Sequence, residues 1–321
     1  MKVTNGLKIA MANKPLCYKM LFSRTVITVI TFVVSFLIAN IFIQDILRSQ
    51  EIKDFISFAM VELKNFILGT GSTNEVLSES FNVHVSSILS MLKAKFSELI
   101  WIPITILILI QIAKFFVGIC DYVMAVNVNE HMSSVRHAEF FTTLAEHFSS
   151  AVRYALYCVV SLFLYNALVI TVAVSIFLLL VKYLGFLTVT IVVLFVICAD
   201  AIRLMFVGLV PAKMVCEKCG VIRAVKDAFK GLNFKLMLER FLSYFVMRLI
   251  HITVTIVMAV STVGVSIIAT APFFAVAYMS VRFVDYYTVN RKKYYITFDE
   301  IVVPKELRTK GEQLLNKVDI D

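Results

Sequence analysis

The sequence predicts an all-α membrane protein: a polytopic helical membrane bundle with six transmembrane helices arranged as three hairpins and with amphipathic interfacial helices. The 321 residues are 60% hydrophobic and only 17% charged, with a mean hydropathy of +0.87. Soluble domains are about 45–50% apolar and about 25% charged. The apolar residues are also concentrated in long runs, and because lipid offers the backbone no hydrogen-bond partner, such runs must be helical.

Six runs are long enough to cross a bilayer, which takes about 20 mostly apolar residues. They are Val26–Ile43, Ile100–Ala125, Tyr154–Leu180, Phe186–Val210, Phe241–Thr262 and Gly264–Tyr286. They are continuous, whereas barrel strands alternate in hydrophobicity over about 10 residues. The first run follows three basic residues, as a signal peptide would, but no small-x-small cleavage site ends it. We therefore interpret it as a retained signal anchor.

Short connections predict how the six spans pair. Val181–Gly185 joins spans three and four, and the Ser261–Gly264 region joins spans five and six. Such short links force antiparallel neighbours, so the spans pair as one with two, three with four, and five with six. The exits of spans two and six also share an Asp-Tyr pair, Asp121-Tyr122 and Asp285-Tyr286.

Each hairpin is preceded by an amphipathic stretch with aromatic and basic residues, which we expect to lie at the membrane surface. The stretches are Pro15–Arg24, His137–Arg153 and Val221–Arg240. Together with the shared exits, they predict a threefold repeat of one interfacial helix and two spans. Chance similarity among apolar helices is the alternative.

The domain prediction is a single integral membrane domain over residues 1–290 and a cytoplasmic tail over 291–321. The outer loop at 44–99 contains helical spacing in Ile46–Leu68 and Val85–Ile100, separated by the turn-forming cluster Gly69–Asn74. This pattern favours a helical hairpin, with a flexible, partly helical loop as the alternative.

The net charge of +9 predicts orientation and partners. Basic residues gather before span one, between spans four and five, and after span six, and short basic connections stay in the cytoplasm. The sequence thus predicts a multi-pass protein of a bacterial cytoplasmic (inner) membrane with both termini cytoplasmic. The charge would face anionic membrane lipids rather than nucleic acid. A membrane-protein partner or a homo-oligomer is the further alternative.

Charged and polar residues within the spans are functional candidates, because a charge near the bilayer centre costs about 2.5–3.5 kcal/mol on insertion scales. A polar path could be formed by Gln111, Lys114, Asp200 and Arg203. The favoured alternative is that the charged residues are interface anchors and structural ion pairs, since Asp200 and Arg203 are three residues apart and can neutralise each other.

The Cys-x-x-Cys motif at Cys216 and Cys219 is the sharpest local signal. Two such thiolates suit zinc, and Lys218 would favour thiolate. A structural zinc site needs four ligands, however, and no second knuckle is present, so incidental cysteines are the favoured interpretation and no cofactor is predicted. We find no phosphate-binding loop, dinucleotide fingerprint or nucleophile elbow, so the sequence gives no indication of an enzyme.

The segments Phe206–Cys216 and Gly220–Gly231 combine a span that ends at a proline with an amphipathic helix that precedes the next span. This pattern is similar to poorly characterised bacterial membrane families, among them the six-helix membrane domain attached to some glycerophosphodiester phosphodiesterases. The chain departs from that pattern in having Ala228 where a small hydroxyl residue is usual, and in lacking a phosphodiesterase domain. The resemblance implies a bundle with interfacial helices and a lipid-related accessory role, without catalytic residues.

The sequence therefore predicts a non-enzymatic scaffold or accessory protein that binds lipids or a partner at the cytoplasmic face. The predicted binding residues are Arg223, Lys226, Lys230 and Lys235. The alternative is a small-solute transporter or channel with a polar path between the hairpins.

Overall fold

A computed structural model describes residues 2–67, 74–94, 100–135, 139–185, 187–230, 233–262, 267–304 and 307, and it confirms the all-α class. The helices are α1 (Lys2–Ala12), α2 (Lys14–Leu47), α3 (Gln50–Ile67), α4 (Asn74–Ala94), α5 (Trp101–Ser134), α6 (Phe140–Leu184), α7 (Leu187–Val207), α8 (Val210–Cys216), α9 (Val221–Phe229), α10 (Phe234–Ser261) and α11 (Ile267–Val289). A short antiparallel hairpin of β1 (Tyr294–Tyr295) and β2 (Ile301–Val302) follows.

Within the described residues, five helical segments are long and apolar enough to cross a membrane. They are Lys14–Asn40, Pro103–Ser134, Phe140–Leu184, Leu187–Cys216 and Phe234–Ser261. These correspond to the first five predicted spans and indicate a multi-pass membrane protein. The outward sides of α6 and α7 are strongly exposed and apolar, as at Leu164, Leu179 and Leu187, and lipid is the medium that such a surface requires.

The sixth predicted span is not among these five segments, although α11 is a helix over most of its length. Residues 263–266 lie outside the described part of the chain. The apolar residues of α11 contact protein rather than facing outwards, since Phe274, Val276, Ala277, Phe283 and Val284 are all buried.

The chain divides into two compact units, one of residues 1–27 with 114–321 and one of residues 28–113. In the smaller unit α3 packs against α4, and the ring of Phe58 lies 4.8 Å from that of His84. The two helices predicted in the loop at 44–99 are therefore present and in contact. Their observed bounds differ from the predicted ones, and the predicted turn at 69–74 falls largely outside the described residues.

In the larger unit, the short helix α1 packs along the last helix, α11. Its buried face consists of Lys2, Asn5, Gly6, Ile9 and Ala10, which share one side of a helix at spacings of three and four. A Cβ atom at Gly6 would collide with Val281 on α11. Glycine therefore permits the close approach of the two helices, as small residues do between membrane helices.

Charged groups join α1, α10 and α11 beneath this contact. Lys2 Nζ lies 2.7 Å from Asp285 Oδ1 and 2.9 Å from Glu239 Oε1, and Arg240 Nε lies 2.7 Å from Asp285 Oδ2. Asp285 and Arg240 are almost completely buried. Asn5 donates a hydrogen bond to Tyr294 Oη at 2.8 Å, so the start of the predicted tail packs on the same core.

Similar arginine–aspartate ion pairs occur at two places in the larger unit. Arg24 pairs with Asp121 at 2.5 Å, and Arg240 pairs with Asp285 at 2.7 Å. In each case an arginine near the start of the first span holds the aspartate of the Asp-Tyr exit. In the middle hairpin Pro211 takes the aspartate position, and Arg153 donates to Ser149 instead. This shared ion pair supports the repeat for the first and third hairpins.

Candidate functional site

The larger unit contains a charged cavity, which we call the arginine cavity. Its volume is about 250 Å³, and helices α2, α5, α7, α10 and α11 line it. Its charged wall residues are Arg24, Arg203, Arg248, Arg282, Asp121 and Asp200. Four guanidinium groups thus face two carboxylates, which leaves a surplus of two positive charges among apolar helices.

Three of the four arginines are paired. Arg24 Nη2 lies 2.5 Å from Asp121 Oδ1, and Arg203 Nη2 lies 2.6 Å from Asp200 Oδ1. Arg248 Nε approaches the other oxygen of Asp200 at 3.4 Å. The pair predicted between Asp200 and Arg203 is therefore present on α7, and Asp200 is shared with a second helix, α10.

Arg282 differs from these three arginines. Among the described residues it has no carboxylate within 4.0 Å, and its buried Nε has no hydrogen-bond partner. Asp285, three residues further along the same helix, is held by Lys2 and Arg240 instead. Asp121 acts on Arg282 only at longer range and is already paired with Arg24. A buried guanidinium without an ion pair of its own is costly and so marks a candidate binding group.

A second cavity of about 330 Å³ adjoins the arginine cavity and shares the wall residues Asp121, Arg203, Leu204 and Arg282. Helix α6 supplies most of its remaining wall, including Tyr154, Tyr157, Cys158, Ser161 and Tyr165. The Arg203 guanidinium lies 5.4 Å from the centre of the Tyr165 ring. The two cavities thus combine cationic donors with an aromatic and partly polar compartment.

Two of the four residues of the predicted polar path line the arginine cavity. Asp200 and Arg203 line the arginine cavity, whereas Gln111 and Lys114 are not among its wall residues. On α5 the cavity is reached by Asp121, which lies two helical turns beyond Lys114, about 10 Å at 1.5 Å per residue. Gln111 belongs to the smaller unit, where its buried Oε1 has no hydrogen-bond partner.

The predicted lipid-binding residues form a second candidate site, which we call the α9 surface: Ile222, Arg223, Lys226, Phe229, Lys230, Phe234 and Lys235. All seven are exposed. Ala224 and Ala228 form the opposite, buried face of α9, which leaves Ile222, Lys226 and Phe229 together on the outer side. Ile222 is 87% and Phe234 80% exposed. The helix therefore presents apolar and basic groups side by side.

Cys216 and Cys219 are free thiols with separate partners: Cys216 donates to Asn129 Oδ1 at 3.0 Å, and Cys219 to the Lys213 carbonyl at 3.6 Å. Burial and the nearby carboxylate of Glu217 raise the pKa of Cys219, and they outweigh the bases expected to favour thiolate. In the described part of the chain, no three His, Cys, Asp or Glu side chains are placed to hold a metal ion.

Sequence reasoning missed the contributions of Arg24 and Asp121 to the arginine cavity. Arg24 was grouped with the basic residues before span one, because its position gives no sign that it turns inward to a carboxylate. Asp121 carried a usable signal in the Asp-Tyr motif that it shares with Asp285. The remaining information is tertiary, since the four arginines lie on four different helices, α2, α7, α10 and α11.

Comparison with known proteins shows no matching family model, no similar curated protein and no similar solved structure.

Proposed function

We propose that this is a non-enzymatic, multi-pass membrane protein with a scaffold or accessory role, which binds anionic lipids through the α9 surface. The observation that carries the proposal is the exposure of large apolar side chains directly beside lysines on a short amphipathic helix. Water does not favour such a surface. The boundary between acyl chains and headgroups accepts both groups at once.

The charges of the α9 surface support this choice of partner. Asp227 lies 3.6 Å from Arg223 and 3.4 Å from Lys230, but such exposed pairs contribute little and leave the cations able to interact elsewhere. A basic residue near an anionic membrane surface contributes about 1 kcal/mol. The three lysines Lys226, Lys230 and Lys235 would together supply about 3 kcal/mol.

The proposed orientation follows from the same residues. If the α9 surface faces anionic lipids of a bacterial inner membrane, both chain ends are cytoplasmic and α11 is the sixth span. The resemblance to the membrane domain of glycerophosphodiester phosphodiesterases agrees with a lipid-related accessory role. A cysteine-accessibility scan of exposed loop positions with a membrane-impermeant reagent tests this orientation.

The lipid proposal is tested on the purified protein in neutral detergent with fluorescent phosphatidylglycerol, and with phosphatidylcholine as the neutral comparison. The variant K226E/K230E/K235E should bind phosphatidylglycerol at least tenfold more weakly. The matched control K53E/K93E/K182E makes the same change in net charge at exposed lysines elsewhere and should bind normally. Equal losses in both variants, or no loss in the first, would refute the proposal.

The transporter alternative receives less support from the geometry. An open path would require free polar groups along the cavity. Asp200 is instead ion-paired with Arg203 and Arg248, and Asp121 is ion-paired with Arg24. Gln111 and Lys114 do not line the cavity. The arrangement is better suited to holding an anion than to passing a solute.

A further inference from the structure

We propose that the arginine cavity is a binding site for a phosphate group, with Arg282 as its principal ligand. The site is separate from the α9 surface, and it does not depend on lipid binding there. Its surplus of two positive charges comes from four arginines against two aspartates. A phosphate monoester carries about −1.5 to −2 charges at pH 7, so it would neutralise that surplus.

The position of the cavity makes neutralisation important. Asp200 lies about 20 Å along α7 from Leu187, and Arg248 lies about 20 Å from the end of α10 at Ser261, at 1.5 Å per residue. Both helices are candidate membrane spans. In a bilayer whose hydrocarbon edge lies at Leu187 and Ser261, the cavity would sit roughly two-thirds of the way across a core about 30 Å thick. Uncompensated charge at that depth costs free energy, and a bound anion recovers it.

The donors favour an anion with several oxygens. Within the part of the chain that the structure describes, the buried Nε atoms of Arg24, Arg203 and Arg282 have no hydrogen-bond partner. A guanidinium group presents a planar fork of donors that matches two phosphate oxygens at once. A phosphate group offers several oxygens to such forks, whereas a chloride ion is a single acceptor atom and cannot match a fork in this way.

The adjoining cavity accommodates the remainder of a phosphate ester. This cavity of about 330 Å³ shares the wall residues Asp121, Arg203, Leu204 and Arg282 with the arginine cavity. Its other wall residues offer tyrosine and serine hydroxyls beside apolar groups. The phosphate group could belong to a lipid headgroup or to a soluble phosphate, because the two share the chemistry that the arginines recognise.

The test uses the purified full chain in neutral detergent, at constant ionic strength set with chloride. Inorganic phosphate at millimolar concentration should raise the thermal midpoint, since a ligand that binds only the folded state stabilises it. The R282Q variant should lose this shift and bind at least tenfold more weakly. The control R48Q removes an exposed arginine outside the cavity and should respond like the original protein.

Phosphatidic acid and phosphatidylcholine in mixed micelles separate the two sources. Binding of phosphatidic acid that inorganic phosphate displaces identifies a soluble phosphate as a sufficient ligand. Binding of phosphatidic acid without any response to inorganic phosphate identifies a lipid headgroup. Both results support the site if R282Q abolishes them. The absence of both responses, or equal responses in R282Q, would overturn the proposal.

Two further measurements keep the test decisive. Because Arg282 has no ion pair to lose, R282Q without phosphate should be at least as stable as the original protein, whereas a purely structural role predicts lower stability. If R282Q does not fold, R282K serves in its place. It keeps the charge but loses the fork, so phosphate binding should weaken severalfold, and unchanged binding would count against the proposal.

Discussion

Replacing Asp285 with asparagine should destabilise the larger unit more than any comparable change of an exposed carboxylate. Asp285 is contacted by Lys2 Nζ at 2.7 Å and by Arg240 Nε at 2.7 Å, and the side-chain exposures are 2% for Asp285, 8% for Lys2 and 3% for Arg240. The asparagine is nearly isosteric. The variant therefore removes charge without opening a cavity, and it leaves two buried cations facing a neutral amide.

The expected loss of free energy of unfolding depends on which carboxylate partners Lys2 and Arg240 keep in the variant. Breaking a buried ion pair from one side typically costs about 3–5 kcal/mol. Lys2 keeps Glu239 at 2.9 Å, whereas Arg240 has no second carboxylate among the described residues. The lower end, about 3 kcal/mol, is therefore expected. At about 2–4 °C per kcal/mol for a chain of this size, the thermal midpoint should fall by roughly 6–12 °C.

The assay is thermal unfolding of the detergent-solubilised protein, followed with a dye that fluoresces on reaction with newly exposed thiols, because all six cysteines are free and partly buried. The matched control is E300Q. Lys8 and Glu300 form another lysine–carboxylate pair at 2.7 Å, also anchored on α1, but their side chains are 49% and 45% exposed. Such a pair contributes at most about 1 kcal/mol.

The comparison of D285N with E300Q decides the outcome. A difference of less than about 1 kcal/mol between the two variants would mean that burial of the Asp285 pair contributes nothing beyond an ordinary surface pair. It would also mean that α1 is not held in place by charge, and the explanation given for its docking would have to be abandoned.

The remaining predictions concern packing and thiol chemistry. A Cβ atom at Gly118 would lie 2.9 Å from the Cα of Ala155, so G118A should lower the free energy of unfolding by about 1–3 kcal/mol in the same assay. The control is G220A, because a Cβ atom at Gly220 meets nothing within 4 Å. It should change the free energy of unfolding by less than about 0.5 kcal/mol. The raised pKa of Cys219 keeps the thiol protonated at neutral pH, so its alkylation by iodoacetamide, measured by mass spectrometry, should still accelerate above pH 8. Replacing Glu217 with glutamine should lower that pKa and speed alkylation at pH 8, and a rate that is already maximal at pH 7 would contradict both statements.

The five candidate spans could be predicted because a long helix with an exposed apolar surface is recognisable from its own residues. Leu164 and Leu179, for example, are apolar and exposed, so they can be interpreted without knowing which helices lie nearby. The last helix is different, since its surroundings are protein. It carries Arg282 and Asp285, and the cations that contact Asp285 come from other helices.

Helix α1 was missed for a related reason. Its buried positions follow a helical period, but they include Lys2 and Asn5, which a hydrophobic pattern does not count. The pair Gly6 and Ala10, four residues apart, was the usable signal, because small residues at that spacing mark close helix contacts. Part of the arginine cavity could be predicted, because the spacing of Asp200 and Arg203 alone indicates that they pair. The cavity residues on α2, α5 and α10 could not be predicted from spacing.

The docking of α1 on α11 has a consequence for the order of assembly. Lys2 and Asp285 are separated by 283 positions in the chain, and ribosomes add about 5–20 residues per second. About 15–60 s therefore pass between the synthesis of α1 and the synthesis of the α11 surface on which it packs. During that interval its small-residue face and the Lys2 ammonium group lack their final partner. Closure of the larger unit is thus a late event, and a stalled chain that ends before α11 would expose this helix to quality-control proteases.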